Sequence, residues 1–428
     1  MNVSTAQTKT RSYQLAPKAL HWISSVFFAN FFTLLLITIS LSQWIVPVWF
    51  VSVFLPVYSP PSAATAVIPP ILFFLNLFLI RFSRRLPTLP TVLRLPLRIY
   101  FASAFISVFC FVFLVLCGVL WALLSFLVAV CGFFLPFTEL HLSVQPVLTL
   151  GFQIFAGVSL ILITSLFIYG YLGGQRQLRI SKRELSLAHW PSTSPCIKIV
   201  QISDLHIGTN LTTQELETYV QKVNELQPDL ILLTGDILDA SPAYIPDFFP
   251  YLNALHARHG VFACLGNHDR YAGAYAVAAG LADYTHITLL RDQVAHLAIA
   301  GTTLHLIGLD DRGKDWARGL DADTTLTQLR ADIPSHEPTV LLSHRPDIFP
   351  AAANLGIDLT LSGHTHGGQF ALPFQSHQFN LARFITRFPR GQYMLGNCFL
   401  YVNRGLGVTG QRIRLFTPRE IALLTCQA

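Results

Sequence analysis

Ile197-Lys198-Ile199-Val200-Gln201-Ile202-Ser203-Asp204-Leu205-His206 decides how this chain is read. Its first seven residues are largely β-branched and apolar, the pattern of a strand buried within a sheet. The run then ends on a carboxylate and an imidazole two positions apart, and residues i and i+2 of an extended chain point the same way.

The same event recurs downstream. Strands expected at Leu230–Thr234, Val261–Leu265, Val340–Leu342 and Leu359–Leu361 run into Gly235-Asp236, Gly266-Asn267-His268-Asp269, His344 and Gly363-His364-Thr365-His366. Between the first two strands, Thr212 opens a helix with a capping box to Glu215, and apolar residues recur at helical spacing as far as Leu226. Further strands are expected at Leu304–Leu309, Phe399–Val402, Ile413–Phe416 and Ile421–Leu424. Strands alternating with helices predict an α/β sheet covered on both faces. Its polar residues fall at the strand ends, where such sheets bind ligands.

Imidazole, carboxylate and amide oxygens together suit Mn, Fe, Zn or Ni better than Ca or Mg. Asp204, His206, Asp236, Asn267, His344, His364 and His366 are too many donors for one ion and fit two sharing a bridging carboxylate. Two-metal sites recur where a nucleophile displaces a group at phosphorus.

The order D-x-H, G-D-x-x-D, G-N-H-[DE], H, G-H-x-H resembles the calcineurin-like metallophosphoesterase superfamily, and all five blocks are present. Gly363 through Phe374 and Tyr401 through Gly407 are similar to its membrane-associated bacterial branch, which includes UDP-2,3-diacylglucosamine hydrolases. The resemblance implies a four-layer αββα sandwich. Asp204, His206 and His366 would hold one metal, Asn267, His344 and His364 another, and Asp236 would bridge them. Two divalent ions are implied, manganese foremost, with iron, zinc or nickel as substitutes. His268, not a ligand, would protonate the leaving group or contact phosphate, with Asp269 orienting its ring. Many members follow G-D-x-x-D with arginine, whereas this chain has Ala240, which weakens a protein-phosphatase reading.

The first part of the chain has a different composition. Residues 1–196 carry 12 Lys+Arg against two acids, Glu139 and Glu184, whereas residues 197–428 carry 17 Lys+Arg and 21 Asp+Glu. The overall charge of +6 is therefore +10 from the first part and −4 from the second. That basicity flanks the uncharged stretches 19–80, 99–138 and 140–175, so it indicates membrane topology, and no nucleic acid partner is indicated. Four spans are expected near 22–44, 62–81, 99–122 and 147–171, with 123–146 at the far interface, ended by Pro136 and Glu139. This count keeps the basic clusters at 9–18, 81–98 and 176–183 on the cytoplasmic side of an inner membrane. No charge falls at a span centre, so these helices read as an anchor. The Gly, basic, Pro and Ser content of 172–196 reads as a linker. The domains are thus an all-α transmembrane region over 1–171, the linker, and a phosphoesterase domain over 197–428.

Seven scattered cysteines without a C-x-x-C pair argue against a disulfide framework or a cysteine zinc site, and no cleavable signal peptide is read. His256, His286 and His305 are given no role. Asp239 reads as outer support or a helix cap, and Asp310-Asp311 as a tuning pair or a turn. Aromatic and basic residues interleave over 370–394, either a loop packed on the sheet or a lip touching lipid. The expected activity is hydrolysis of a phosphodiester or pyrophosphate in a membrane-borne or lipid-linked substrate. The competing readings are a phosphatase for soluble nucleotides or phosphoproteins and a non-catalytic scaffold, against which the complete set of donors counts.

Overall fold

The computed structural model describes residues 16–56, 67–83, 91–134, 138–299, 301–311, 322–373 and 378–428. It divides into two compact units, Met1–Leu166 and Phe167–Ala428.

The first unit is helical, with helices Ala16–Phe54, Ile68–Ser83, Thr91–Phe134 and the beginning of Thr138–Leu172. Three of these hold apolar stretches long enough to cross a membrane: Phe31–Phe54, Leu95–Cys131 and Val144–Arg176. Their large side chains face outward, with Phe126 69% and Val147 71% exposed, the reverse of a soluble helical core. The second helix is shorter, and residues 62–66 of its expected span lie outside the described residues. It is tied in by Asn76, which is buried. The Asn76 amide donates to Ser40 Oγ at 3.0 Å and Gln43 Oε1 at 2.9 Å, and its oxygen accepts from Tyr100 Oη at 2.9 Å. The third helix continues to Phe134, past the end expected at 122. Leu, Val and Ala carry it through, since no proline interrupts the chain between Pro96 and Pro136.

The second unit contains two six-stranded sheets. One has the order β1 (Leu178–Ser186), β12 (Arg419–Gln427), β2 (Ile197–Ile202), β3 (Leu230–Thr234), β4 (Val261–Cys264), β5 (Thr288–Leu289). The other runs β10 (Gly391–Leu395), β11 (Cys398–Val402), β9 (Leu359–Ser362), β8 (Thr339–Ser343), β7 (Thr302–Leu309), β6 (Gln293–Ile299). Ile199, Leu232 and Phe262 of the first sheet meet Leu306, Val340 and Leu361 of the second in one buried core. The outer faces are covered by helices, Val223, Phe249 and Val277 packing on the first sheet and Leu326, Ile348 and Ala352 on the second. The layers are α, β, β, α. Burial on both faces explains the near-continuous apolar runs in β3 and β8, and β2 is apolar apart from Lys198 and Gln201.

The stretch 172–196 is not a linker. β1 pairs in parallel with β12 from Leu178 to Ser186, and Leu185, Leu187 and Trp190 are buried in the core between the sheets. The strand escaped the sequence reading because it lies at an edge. Arg179, Lys182, Arg183 and Glu184 occupy it, charges of the kind that discourage pairing with another chain. The strand expected at Ile413–Phe416 reduces to a single bridge between Leu415 and Phe370.

β2, β3, β4 and β5 run parallel, as do β7, β8, β9 and β11. Parallelism brings the carboxyl ends of β2, β3, β4, β8 and β9 to one rim, and the five sequence motifs follow those ends.

Candidate metal centre

Three of the five motifs leave their strands through a left-handed backbone turn. Asp204, His206, Asp236, His364 and His366 all have positive φ, between 45° and 70°, which non-glycine residues adopt only under local strain. Such strain collects where the surrounding fold over-determines a functional geometry. Two glycines allow the close approach. A side chain at Gly363 would run into Ser203 Oγ and Asp204 Oδ2, and one at Gly266 into Asp236 Oδ1.

The donors fall into two clusters. Asp204, His206 and His366 offer ligand atoms all within 4.8 Å of one another, and Asp236, His344 and His364 do the same. His206 Nε2 and His366 Nε2 face each other at 3.0 Å, and His344 Nε2 and His364 Nδ1 at 3.2 Å. Asp236 lies between the clusters, its Oδ2 3.5 Å from His206 Nε2 and 3.1 Å from His344 Nε2. Asn267 adds a buried Oδ1 that has no hydrogen-bond partner among the described residues.

These residues fit divalent cations. His344 Nδ1 lies 2.9 Å from the Thr234 carbonyl, so it carries the proton and donates it. His206 Nδ1 lies 3.2 Å from Asp239 Oδ1. In both rings Nδ1 is engaged by an oxygen and Nε2 is turned inward toward the other donors, the orientation of a metal-ligating imidazole. A buried amide oxygen without a donor costs free energy unless a cation or another group meets it.

Residues 197–368 match the family model described as calcineurin-like phosphoesterase. An uncharacterized metallophosphoesterase of Bacillus subtilis, YkuE, is 34% identical over 54% of this chain and 79% of its own. The chain belongs to the calcineurin-like phosphoesterase family. An uncharacterized metallophosphoesterase of Campylobacter jejuni is also 34% identical, over 55% of this chain, which spans 60% of that relative's length. The UDP-2,3-diacylglucosamine pyrophosphatase LpxG of Chlamydia trachomatis is 29% identical over 54% of this chain and 83% of its own.

In this metallophosphoesterase domain all seven expected ligands lie at one rim, and His268 is beside them. Its backbone N–H donates to Asp236 Oδ1 at 2.8 Å, and its ring meets that of His206 edge-on at 4.6 Å. Asp269 requires a correction. It was expected to orient the His268 ring, but its carboxylate accepts from Gly266 N and Leu238 N, both at 2.9 Å. The reason is local. Asn267–Ala272 is a short helix capped at Gly266, so Asp269 is its third residue and turns back onto the cap. The ring's partner is Asp239, whose backbone oxygen lies 2.8 Å and carboxylate 3.2 Å from His268 Nδ1.

The electrostatics follow this wiring. Burial works against an imidazolium at His268, yet the hydrogen bond to Asp239, with Asp236 nearby, pushes its pKa up to about 9. Burial likewise opposes charge on His344, and Asp236 overrides it, raising the pKa to about 10. His364 and His366 are held well below the ordinary histidine range by burial, then by the neighbouring His344 and His206 respectively. Burial would raise the Asp236 carboxyl, but the facing histidines, His344 first, hold it below the usual carboxylate range.

Sequence reasoning missed three neighbours. Arg345 donates through Nε to Asp311 at 2.7 Å and extends Nη1 to within 3.2 Å of His364 Nε2. Its position directly after His344 was the available signal. Thr409 Oγ1 lies 2.9 Å from His366 Nε2 and 3.1 Å from His206 Nε2, with no motif to announce it. Arg404 donates to both oxygens of buried Glu420 and to Ser181 Oγ on β1, bracing the loop that packs Gly405 against Asp204. His256, His286 and His305 hydrogen-bond elsewhere.

Proposed function

We propose that this protein is a two-metal hydrolase of a phosphodiester or pyrophosphate bond in an amphiphilic, membrane-borne substrate, of the lipid-linked nucleotide class that LpxG's name describes. Asp204, His206 and His366 would hold one cation and Asn267, His344 and His364 the second, with Asp236 shared between them. The observation that carries this reading is Asp236, a single carboxylate facing ligand nitrogens of both clusters within 3.5 Å. When bound, two divalent cations would neutralise phosphoryl charge and acidify water for attack at phosphorus.

The remaining work falls to the chain. His268, kept protonated by Asp239, holds a proton for the departing oxygen. Asp239 positions that ring and also the His206 ring, so it is a positioning residue for both. Asp204 and Asp236 also hold the opposing turns, accepting from His364 N at 3.0 Å and His268 N at 2.8 Å. The helices anchor the protein in a cytoplasmic membrane as a multi-pass chain, with the hydrolase domain on the cytoplasmic side. The basic residues at 81–98 and 176–183 support this orientation.

Purified full-length protein assayed with manganese tests the reading. Metal-dependent release of a nucleoside monophosphate and a lipid phosphate from UDP-2,3-diacylglucosamine is the expected result. Turnover of soluble nucleotides or phosphopeptides alone would replace the substrate class with a soluble one. No turnover of any phosphoester with either metal site filled would leave a scaffold.

A further inference from the structure

Beside the metal centre lies a patch whose exposure the hydrolytic reading does not use. Phe384 is 89% exposed and Ile385 78%, with Leu372 and Phe379 more than half exposed. Arg383 and Arg387 stand among them, both exposed, and no acidic residue occurs between Phe379 and Leu395. Contiguous apolar surface of this kind in a folded domain marks a docking site.

The patch is displayed by braced backbone. Leu381 N donates to Phe370 O at 3.3 Å, Ile385 N to Ala382 O at 3.0 Å, and Thr386 Oγ1 to Asp347 Oδ1 at 2.6 Å. On one side it adjoins the centre, since a Cβ on Gly368, two residues after His366, would sit 2.9 Å from the Leu381 and Ala382 nitrogens. On the other side Phe370 packs against Phe167, ring centroids 5.6 Å apart, and a Cβ on Gly170 would sit 2.9 Å from Leu415. Phe167 and Gly170 belong to the final turns of the apolar helix Thr138–Leu172. The chain therefore leaves its last apolar segment immediately beside the exposed patch.

We propose that the segment Phe379–Arg387 is an interfacial docking surface for an anionic lipid leaflet, Phe384 and Ile385 entering the headgroup boundary while Arg383 and Arg387 pair with lipid phosphates. Apolar side chains interleaved with arginine are what such an interface takes: buried apolar area supplies attraction and basic groups select negative charge. The inference rests on helix Thr138–Leu172 lying in a bilayer and is independent of the assigned hydrolytic roles.

The test uses the full chain in lipid nanodiscs, with trifluoromethyl-phenylalanine at position 384, or at Tyr275 as an exposed control, read by fluorine NMR. Doxyl-labelled lipid should broaden the signal from 384 several-fold more than that from 275 when phosphatidylglycerol is present. In phosphatidylcholine alone the broadening should be weaker. The double variant Arg383→Glu/Arg387→Glu should lose it with an unchanged thermal transition, and Arg383→Lys/Arg387→Lys should keep it. A sharp signal at 384 in anionic discs would overturn the proposal, as would broadening indifferent to lipid charge and to charge reversal. Because the readout is positional, a failure here is distinct from a failure of the hydrolase reading, which activity assays alone decide.

Discussion

The carboxylate of Asp239 lies 3.2 Å from Nδ1 of His268 and 3.2 Å from Nδ1 of His206, with its Oδ1 facing both rings. One side chain thus supports a proposed metal ligand and a proposed proton donor. Its own carboxyl is held below the usual range, burial being outweighed by those two histidines.

That sharing makes Asp239→Asn informative. In the metal-free protein the His268 imidazole, raised to about 9, should titrate at lower pH once the carboxylate is gone. The sign for stability follows. A raised histidine pKa stabilises the folded state fully below the ordinary value of 6.5, and the contribution is lost as pH rises through about 9. Asp239→Asn should flatten that dependence. NMR titration of the His268 ring measures the shift directly, and an unmoved pKa would refute the coupling.

Asp236→Asn should lower metal content more than substitution of any other donor. Among the described donors, Asp236 is the carboxylate that meets ligand nitrogens of both clusters, and an amide there would neither offset the repulsion between two cations nor offer two anionic oxygens. Metal analysis of the purified variant decides the point, and two full equivalents retained would remove the bridging role.

Glu420→Gln should destabilise the catalytic domain without touching a proposed ligand. Glu420 is buried and accepts from Arg404 Nε at 3.0 Å, Arg404 Nη2 at 2.9 Å and Tyr401 Oη at 2.8 Å, with Arg414 and Arg419 fully buried nearby. Removing one partner of a buried pair costs about 3–5 kcal/mol, because the remaining charge stays unpaired. Denaturant unfolding of the detergent-solubilised chain should show a loss of that order, and a loss within experimental error would mean that the arginines are neutralised otherwise.

How far the sequence could be read follows from the same physics. β2, β3, β8 and β9 were legible because burial on both faces leaves runs that are mainly apolar or β-branched, and the rim residues were legible because each follows such a run. β1, β6 and β10 were not, since these edge strands read as loops: β1 is studded with charges, and β6 and β10 mix polar with apolar residues. Asp269 was misassigned because sequence adjacency to His268 says nothing about direction; its place in the first turn of a helix sends it to Gly266. Glu420 and Thr409 lie outside every motif, and Arg404 sits in the Tyr401–Gly407 stretch without a role readable from sequence; only the chain's return through β11 and β12 brings them to the centre.

The proposed topology gives a cellular prediction. A reporter active only outside the cytoplasm, fused after Ala428, should be inactive, and a cytoplasm-active one should work. Basic clusters remain on one side only if an even number of crossings separates them, which requires helix Ile68–Ser83 to cross as well. Its 16 residues give about 24 Å of helix at about 1.5 Å per residue, short of a bilayer core of about 30 Å. Opposite reporter activity would show that this helix does not span.

His268 is placed to do chemistry. Its ring is about one-fifth exposed, unlike the buried ligand histidines His206, His344 and His366, so substrate can reach it. Its Nδ1 is occupied by Asp239, which leaves Nε2 to carry the proton outward. General acid catalysis of this kind contributes roughly 10²–10⁴-fold. His268→Ala should lose activity by that order on substrates with poor leaving groups while retaining both metals and its unfolding transition. With a nitrophenolate, already a stable anion, the departing oxygen needs no proton and the loss should shrink markedly. A ligand role predicts the opposite pattern: metal would be depleted and both substrates would suffer alike. Comparing kcat for the two leaving groups, alongside metal content, therefore separates a proton donor from a misassigned ligand, and equal losses on both substrates would exclude the donor role.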